Sequence, residues 1–353
     1  MKIVHVAKYY LPHLGGVEIH LKEISSLLVK LGHEVTIVTT KHDLKLADST
    51  NYNGVKIVRI PDFQDEKNPS LLKIKTWTAI KKHRELFDQA DIVHVHDVFW
   101  WIIPVFRLIR KKTFITFHGW ETTYPVSFNA KIQRYLYSKL SLGSIHVGSW
   151  IQDFYFDKPD FVTYGGINPK RLTKSKINFK EEKTKNKKTI KLAFVGRLSQ
   201  DNDTKKYIQL VNALKNLGKE VEIIWIGEGE FRKQCEKLGK VTGFVKNISK
   251  YLVGKDLVFA SSYLSILEAQ LTANNVCSFY SNELKKAYLE SYPGSKFMLI
   301  TNSIDSMIAK IVLLFDSPKS QLQFGMFARE FAKQQTWDKV LNLYLKLWRK
   351  VKI

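Results

Sequence analysis

The stretch MKIVHVAKYYLPHLGGVEIHLKEISSLLVKLGHEVTIVTT, residues 1–40, contains a whole βαβ unit. KIVHVA (2–7) is rich in strand formers and runs into the turn LPHLGG. After it Val17, Leu21, Ile24, Leu28 and Leu31 recur at helical spacing until Gly32. HEVTIVTT (33–40) is then a nearly continuous apolar strand, as a parallel sheet buried on both faces requires. Further strands are expected at 55–60 (VKIVRI), 91–95 (DIVHV), 113–117 (TFITF), 144–148 (SIHVG) and 160–164 (DFVTY), with helical patterns between several of them. The first half therefore reads as a doubly wound α/β domain.

From Lys170 to Lys191 the pattern stops: nine Lys and one Arg stand against two Glu, with no period of either kind. This is the expected linker, 170–189, between a first domain at 1–169 and a second at 190–335. Past it the same grammar restarts with strand 190–195, a turn at Gly196-Arg197, helix 204–218, strand 221–226 and the turn Gly227-Glu228-Gly229. Strands at 240–245, 256–260 and 276–280 follow, with a helix starting near Ser265. Two C-terminal helices are expected, and 336–353, which includes Trp337, is expected to pack back toward the first domain. The fold class is α/β, two Rossmann-like doubly wound domains facing a central cleft, since ligands of open parallel sheets bind outside the carboxyl ends of the strands.

A length of 353 residues suits two domains at ~150 residues each. The composition is that of a globular protein, with 44% hydrophobic and 25% charged residues, which excludes a disordered or fibrous chain. Cys235 and Cys277 cannot make a disulfide framework, and MKIVHVAKYY is not a signal peptide, so a cytoplasmic location is expected. The most apolar run, Val98 to Ile109, contains Arg107 and falls short of the ~20 residues that cross a bilayer. The outlier is the net charge of +23, which calls for an anionic neighbour: nucleic acid, a phosphate-bearing substrate or an anionic membrane face. No base-reading motif accompanies the charge, so no nucleic-acid partner is expected. LLKIKTWTAIKKHR (71–84) and VFWWIIPVFRLIRKK (98–112) join aromatic and basic residues, the types that settle at a headgroup boundary; the alternative is an ordinary surface helix and a core segment.

Several strand ends carry candidate chemistry. Gly15-Gly16 lets backbone N–H groups at a helix start approach a diphosphate, the alternative being a tight turn alone. Gly196-Arg197-Leu198, followed by Lys205 and Lys206, offers cations to an anionic leaving group. His94, His96 and His118 sit at strand ends; His94 and His96 point the same way, but no third ligand has a matching spacing, so no metal is expected. Asp201-Asn202-Asp203 has the look of a metal–diphosphate acidic pair, yet a turn in a polar loop explains it as well. Glu268, in a helix after a strand, can accept both hydroxyls of a ribose, or simply sit favourably near a helix start.

Taken in order, GGVEIHLKEISSLLVKLGHEVTIVTT, DIVHVHD, TFHGWE, the GGIN at 165–168, FVGRL, IGEGEFR, VTGFV, SILEAQ and the terminal Trp337 region resemble the GT-B fold glycosyltransferases of the family 4 type over nearly the whole chain. The resemblance implies retaining transfer of a sugar from a nucleotide-sugar donor, without metal or other cofactor, to a glycan or lipid-linked acceptor of a cell-surface polysaccharide or glycolipid. It also implies roles. Gly15 and Gly16 would lie against the donor phosphates and His118 near the transferred sugar. Arg197 with Lys205 or Lys206 would neutralise the departing diphosphate. Gly227 and the backbone at Gly243, Phe244 and Val245 would line the base pocket, Glu268 would hold the ribose, and the amides of Leu264 and Ser265 would reach the phosphates. No side-chain nucleophile is required where the donor phosphate itself takes the acceptor proton. The sequence departs from the family pattern in three places: Ala260 stands where the first of two glutamates is expected, Ser261-Ser262-Tyr263 replaces a glycine-rich turn, and Arg197 and Lys205 are unusually far apart.

Overall fold

The computed structural model describes residues 1–63, 65–119, 124–172 and 189–351. Most of the Lys-rich linker, together with Trp120 and Glu121 of TFHGWE, lies outside the described residues. The chain divides into two compact units: unit 1 is Met1–Thr163 with Trp337–Ile353, and unit 2 is Tyr164–Thr336.

Unit 1 runs β1 (Lys2–Ala7), α1 (Gly16–Lys30), β2 (Glu34–Lys41), β3 (Ser49–Tyr52), β4 (Val55–Pro61), α2 (Pro69–Lys81), α3 (Arg84–Asp88) and β5 (Ile92–His96). A 3-10 helix (Phe99–Val105), α4 (Phe106–Ile109), β6 (Thr113–Phe117), α5 (Phe128–Leu140), β7 (Ser144–Val147), α6 (Trp150–Phe154) and β8 (Phe161–Thr163) follow. Its sheet has the order β3-β4-β2-β1-β5-β6-β7-β8, parallel except for β3. Leu21, Ile24 and Leu28 bury one face of α1, and Gly32, at φ 81°, ends that helix in the left-handed conformation. Asn68 caps α2 by accepting from the amides of Ser70 and Leu71, with Pro69 preset for the first turn. The β3–β4 hairpin escapes sequence reading because STNY is exposed throughout and has no apolar alternation. Asn53 and Gly54, both at positive φ, supply its turn.

Unit 2 runs β9 (Thr189–Val195), α7 (Thr204–Asn216), β10 (Glu220–Ile226), α8 (Arg232–Glu236), β11 (Lys240–Val241), α9 (Ser249–Leu252) and β12 (Leu257–Ala260). α10 (Tyr263–Leu271), β13 (Asn275–Phe279), α11 (Glu283–Glu290), β14 (Met298–Thr301), α12 (Ile304–Asp316) and α13 (Pro318–Lys333) complete it. The parallel order is β11-β10-β9-β12-β13-β14. Its core gathers Phe194, Tyr207, Leu210, Trp225, Phe259 and Phe279 between sheet and helices. The strand expected at 240–245 stops at Val241, because Gly243 at φ 73° turns the chain out of the ladder. The helix expected near Ser265 begins at Tyr263, and α12 and α13 stand where one helix was expected before the last.

The last helix, α14 (Trp337–Trp348), belongs to unit 1 and buries Trp337, Val340, Leu341, Tyr344, Leu347 and Trp348. Both sheets are parallel α/β layers of the expected class. Among the described residues no helix is long and apolar enough to cross a membrane. In the segment 98–112, Trp101 and Ile102 are buried core, while Trp100 is half-buried and its carbonyl accepts from the Trp77 indole at 2.7 Å.

Candidate active site

In unit 2 the strand order reverses between β9 and β12, so the loops leaving these neighbouring strands part to either side of a crevice. Arg197 stands on the first loop, with its side chain 65% exposed and paired to Asp201. Asn202 donates to the Arg197 carbonyl at 3.1 Å and accepts from the Ser261 hydroxyl at 3.4 Å, tying the two loops together. Asp203, at φ 55°, starts α7 in the left-handed conformation; burial pushes its carboxyl up. The two candidate lysines differ. Lys205 is exposed on the first turn of α7, whereas Lys206 donates to the Tyr280 carbonyl at 2.9 Å and faces Asp203 at 3.6 Å.

The turn Gly227-Glu228-Gly229 closes onto the same loop: Gly196 donates to the Ile226 carbonyl and Leu198 to that of Glu228, at 3.1 and 2.8 Å. A Cβ on Gly227 would collide with the Gly196 carbonyl, and one on Gly229 with that of Leu198. Glycine at 227 is thus fixed by the approach of two backbones, a constraint independent of any base pocket. Gly243 faces the Glu228 carboxylate, and beside it the Phe244 ring is 58% exposed with Val245 half-buried. An exposed aromatic face at a strand end is a surface on which a base can stack.

After β12, Ser262 and Ser265 form a capping box at the start of α10, so the Ser265 amide is held within the protein; the Tyr263 amide donates to the Tyr288 hydroxyl at 3.0 Å. The Leu264 amide lies between these two. Glu268, half-buried and more than a turn into α10, accepts from the Ser249 hydroxyl at 2.9 Å. Ala260 is fully buried at the end of β12. Lys285 of α11, which no sequence signal singled out, buries its ammonium against the Ser261 carbonyl at 2.8 Å.

In unit 1 the order reverses between β1 and β5. Gly15 precedes α1, and Gly16 has open space where a side chain would be. The Glu18 carboxylate lies against Gly15 and meets His13 at 2.9 Å, so an anion approaching this turn meets a negative charge. His118 follows β6. Its amide and that of Gly119 donate to Asp97, at 2.9 and 3.4 Å, and Asp97 itself sits at φ 62° after β5. Burial raises the Asp97 carboxyl, against the pull of Arg134 and the two amides. Arg134, on α5, stacks its guanidinium on Tyr155 and Phe117 at 4.0 and 4.8 Å from the ring centroids.

His118 ends a line of imidazoles. His5 Nδ1 meets His96 Nε2 at 3.1 Å, and His96 Nδ1 meets His118 Nε2 at 2.9 Å. A second line joins Trp348, His94, Thr116, Tyr344 and His20 through contacts of 2.8 to 2.9 Å. The Trp348 indole can only donate, so His94 accepts at Nδ1 and carries its proton at Nε2 toward Thr116. Both nitrogens of His94 and of His96 therefore meet protein partners. Burial lowers all five: His5 and His118 fall to about 3, and His20, His94 and His96 fall well below the ordinary value. His118 is thus a neutral group, able to accept or donate one hydrogen bond to a hydroxyl-bearing ligand.

The sequence profile of the family described as Glycosyltransferase Family 4 matches residues 14–155. An uncharacterised glycosyltransferase of Methanocaldococcus jannaschii is 24% identical over 99% of this chain and 99% of its own. Among solved structures, sucrose-phosphate synthase of Thermosynechococcus elongatus superposes with a TM-score of 0.74 at 14% identity, covering 99% of this chain and 98% of the other. HepE of Anabaena, solved in complex with UDP and glucose, gives 0.70 at 14% identity over 98% of each chain. Family profile and full-length relative agree with the motifs: residues 14–155 carry the Glycosyltransferase Family 4 profile, the chain is similar over its length to a glycosyltransferase, and its fold is that of the GT-B structures.

Proposed function

We propose that the protein is a retaining, metal-independent glycosyltransferase that moves a sugar from a nucleotide-sugar donor to a glycan or lipid-linked acceptor in the making of a cell-surface polysaccharide or glycolipid. The observation that carries the donor half is the crevice between β9 and β12: an exposed Arg197 on one side, α10 with Glu268 on the other, and the Phe244 ring on the neighbouring turn. Arg197 and a lysine meet the charge that grows on the departing diphosphate. Glu268 takes the ribose hydroxyls, Phe244 lies under the base, and the Leu264 amide faces a phosphate. In unit 1 the neutral His118, oriented by Asp97 and His96, contacts the sugar, and the donor phosphate removes the acceptor proton.

The acceptor half includes attachment to the cytoplasmic face of an anionic membrane. Its support is in unit 1, where α2 exposes Leu71 and Ile74 beside Lys73 and Lys81. α5 exposes Phe128, Ile132, Tyr135, Leu136 and Leu140 beside Lys131 and Lys139. Apolar residues framed by lysines suit an anionic leaflet. A thermal-shift screen of nucleotide-sugars, followed by transfer assays with and without a chelator and NMR of the product anomer, tests the whole reading. Binding with no transfer to any acceptor favours a catalytically silent subunit, for which Ala260 is the specific observation; binding of no nucleotide-sugar at all defeats the donor assignment.

A further inference from the structure

The imidazole line of unit 1 is a chain of donors and acceptors, and its direction matters. A neutral imidazole carries one proton, so each ring donates at one nitrogen and accepts at the other. His5 Nδ1 meets His96 Nε2 at 3.1 Å, and His96 Nδ1 meets His118 Nε2 at 2.9 Å. Burial keeps all three rings neutral, so each contact needs a proton on one side and a lone pair on the other. Only two arrangements meet that requirement: every ring carries its proton at Nδ1, or every ring carries it at Nε2. The three rings therefore share one tautomeric choice.

The buried end decides it. His5 stands on β1 in the middle of the sheet, in register with Ile37 of β2 and His94 of β5, and its Nε2 is buried with no hydrogen-bond partner among the described residues. The rings beside it, His94 and Trp348, have no acceptor to spare. His94 takes the Trp348 indole proton at Nδ1 and gives its own to Thr116, and an indole only donates. A proton at His5 Nε2 would thus be a buried donor with nothing to receive it, and buried N–H groups without an acceptor are rarer than buried acceptors short of a donor. The line therefore runs outward: His5 donates to His96, His96 donates to His118, and His118 keeps its own proton at Nδ1. There the ring is half-buried, and Nδ1 meets no protein group among the described residues.

We propose that His5 and His96 are positioning residues that hold His118 in its Nδ1–H form, so that unit 1 offers the transferred sugar a hydrogen-bond donor rather than an acceptor. The sugar half rests on the function proposed above; the tautomer half stands on the geometry of unit 1. Both residues act through His118, since His5 and His96 are 0% and 2% exposed. The consequence is a selection rule: the ligand group opposite His118 must present a lone pair, as a hydroxyl, carbonyl or carboxylate oxygen does, and cannot be a bare C–H or an ammonium. A solitary neutral histidine answers either kind of partner by moving its proton from one nitrogen to the other. Here that move would shift three protons together and leave an unpaired N–H buried at His5.

The test is long-range proton–nitrogen NMR of the full chain with isotope-labelled histidines, which tells a protonated ring nitrogen from a bare one, the His118 signals being assigned by their loss in His118→Ala. The wild type is expected to show His118 with its proton at Nδ1 and a bare Nε2. His96→Phe, which takes away the donor facing His118, is expected to move that proton toward Nε2; His96→Asn, whose amide can donate from near the Nδ1 position, is expected to hold it at Nδ1. A merely structural His96 would change stability without moving the proton. Calorimetry with UDP-glucose, UDP-N-acetylglucosamine and GDP-mannose, continued with whichever binds the wild type, reads the sugar half. His96→Phe and His118→Ala are each expected to weaken the sugar nucleotide roughly 2–10-fold, the loss of one neutral hydrogen bond, and to leave the bare nucleoside diphosphate unaffected. A bare Nδ1 on wild-type His118, or an unmoved proton in folded His96→Phe, overturns the tautomer assignment whatever binds. Wild-type affinity for the sugar nucleotide in His118→Ala overturns the sugar contact. If none of the three nucleotides binds wild type, the donor reading falls with the sugar contact, and the spectrum still decides the tautomer.

Discussion

In unit 1 the strand ends beside β1 and β5 are lined with imidazoles and phenols that burial keeps neutral; in unit 2 those beside β9 and β12 carry an exposed guanidinium, a buried ammonium and two aspartates. The sheets share their parallel winding and their switch-point geometry. The side chains at the carboxyl ends differ in kind. A crevice of neutral donors and acceptors suits a sugar, whose hydroxyls need hydrogen bonds and no charge. A crevice that presents an exposed guanidinium suits a diphosphate, whose binding is dominated by Coulomb attraction. The position of the site thus follows from topology, and its ligand from which residues the strand ends deliver.

The largest expected effect sets the units apart by acid. Each buried histidine of unit 1 has a folded pKa below its unfolded value of ~6.5. The unfolded state therefore binds more protons at low pH, and stability is lost as pH falls through the unfolded value toward the folded one. Each contributes a loss of ~1.4 kcal/mol per pH unit over that window. Hydrogen exchange read by mass spectrometry should show unit 1 opening between pH 6 and 4 (a range on the order of two units below the free histidine value) while unit 2 stays protected. Simultaneous opening of both would erase the contrast.

Next comes Arg197→Ala, which should lower turnover by ~10²–10³ with an unchanged melting curve, because it acts on charge that appears as the diphosphate leaves. Wild-type steady-state rates in a folded variant would remove Arg197 from the leaving-group site. Glu268→Ala should weaken nucleoside diphosphate binding by about 1–3 kcal/mol, read by calorimetry. Equal affinity would remove Glu268 from the donor site. Tyr344→Phe removes the hydroxyl between Thr116 and His20 and should cost unit 1 about 1 kcal/mol in urea unfolding. The smallest effect per residue is at the membrane, where each basic side chain contributes roughly 1 kcal/mol. The protein should pellet with anionic but not neutral vesicles, release in high salt, and bind less when Lys81, Lys82 and Arg84 become Glu. Failure to pellet at low salt ends the membrane proposal.

The winding of both sheets was legible because apolar strands and amphipathic helices alternate along the chain, and each strand read from the sequence is present within a few residues of its expected ends apart from 240–245. Exposed β3 was missed for want of an apolar pattern, and β14, apolar but only four residues long, for its shortness. Of the site, residues placed directly after a strand could be read: Arg197, His118, Gly227. Lys285 could not, since it reaches the crevice from the far side of β13 and its local sequence, NELKKAYL, is that of any surface helix. Arg134 was hidden in the same way within α5. Tyr344 and Trp348 lie more than two hundred residues from the histidines they bond, at separations of 324 and 254 positions from His20 and His94. Such partners are set by packing, which no local window contains.

The return of α14 to unit 1 also orders the protein's birth. Unit 2 is one uninterrupted stretch, whereas unit 1 lacks Tyr344 and Trp348 until residues 337–348 have left the ribosome. Unit 1, although its sheet is made first, is therefore completed after unit 2. Until α14 emerges His94 has no indole donor and His20 no phenol, and the apolar side of α1 that α14 covers stays open to chaperones. A nascent chain stalled before α14 would hold a complete unit 2 and an unfinished unit 1.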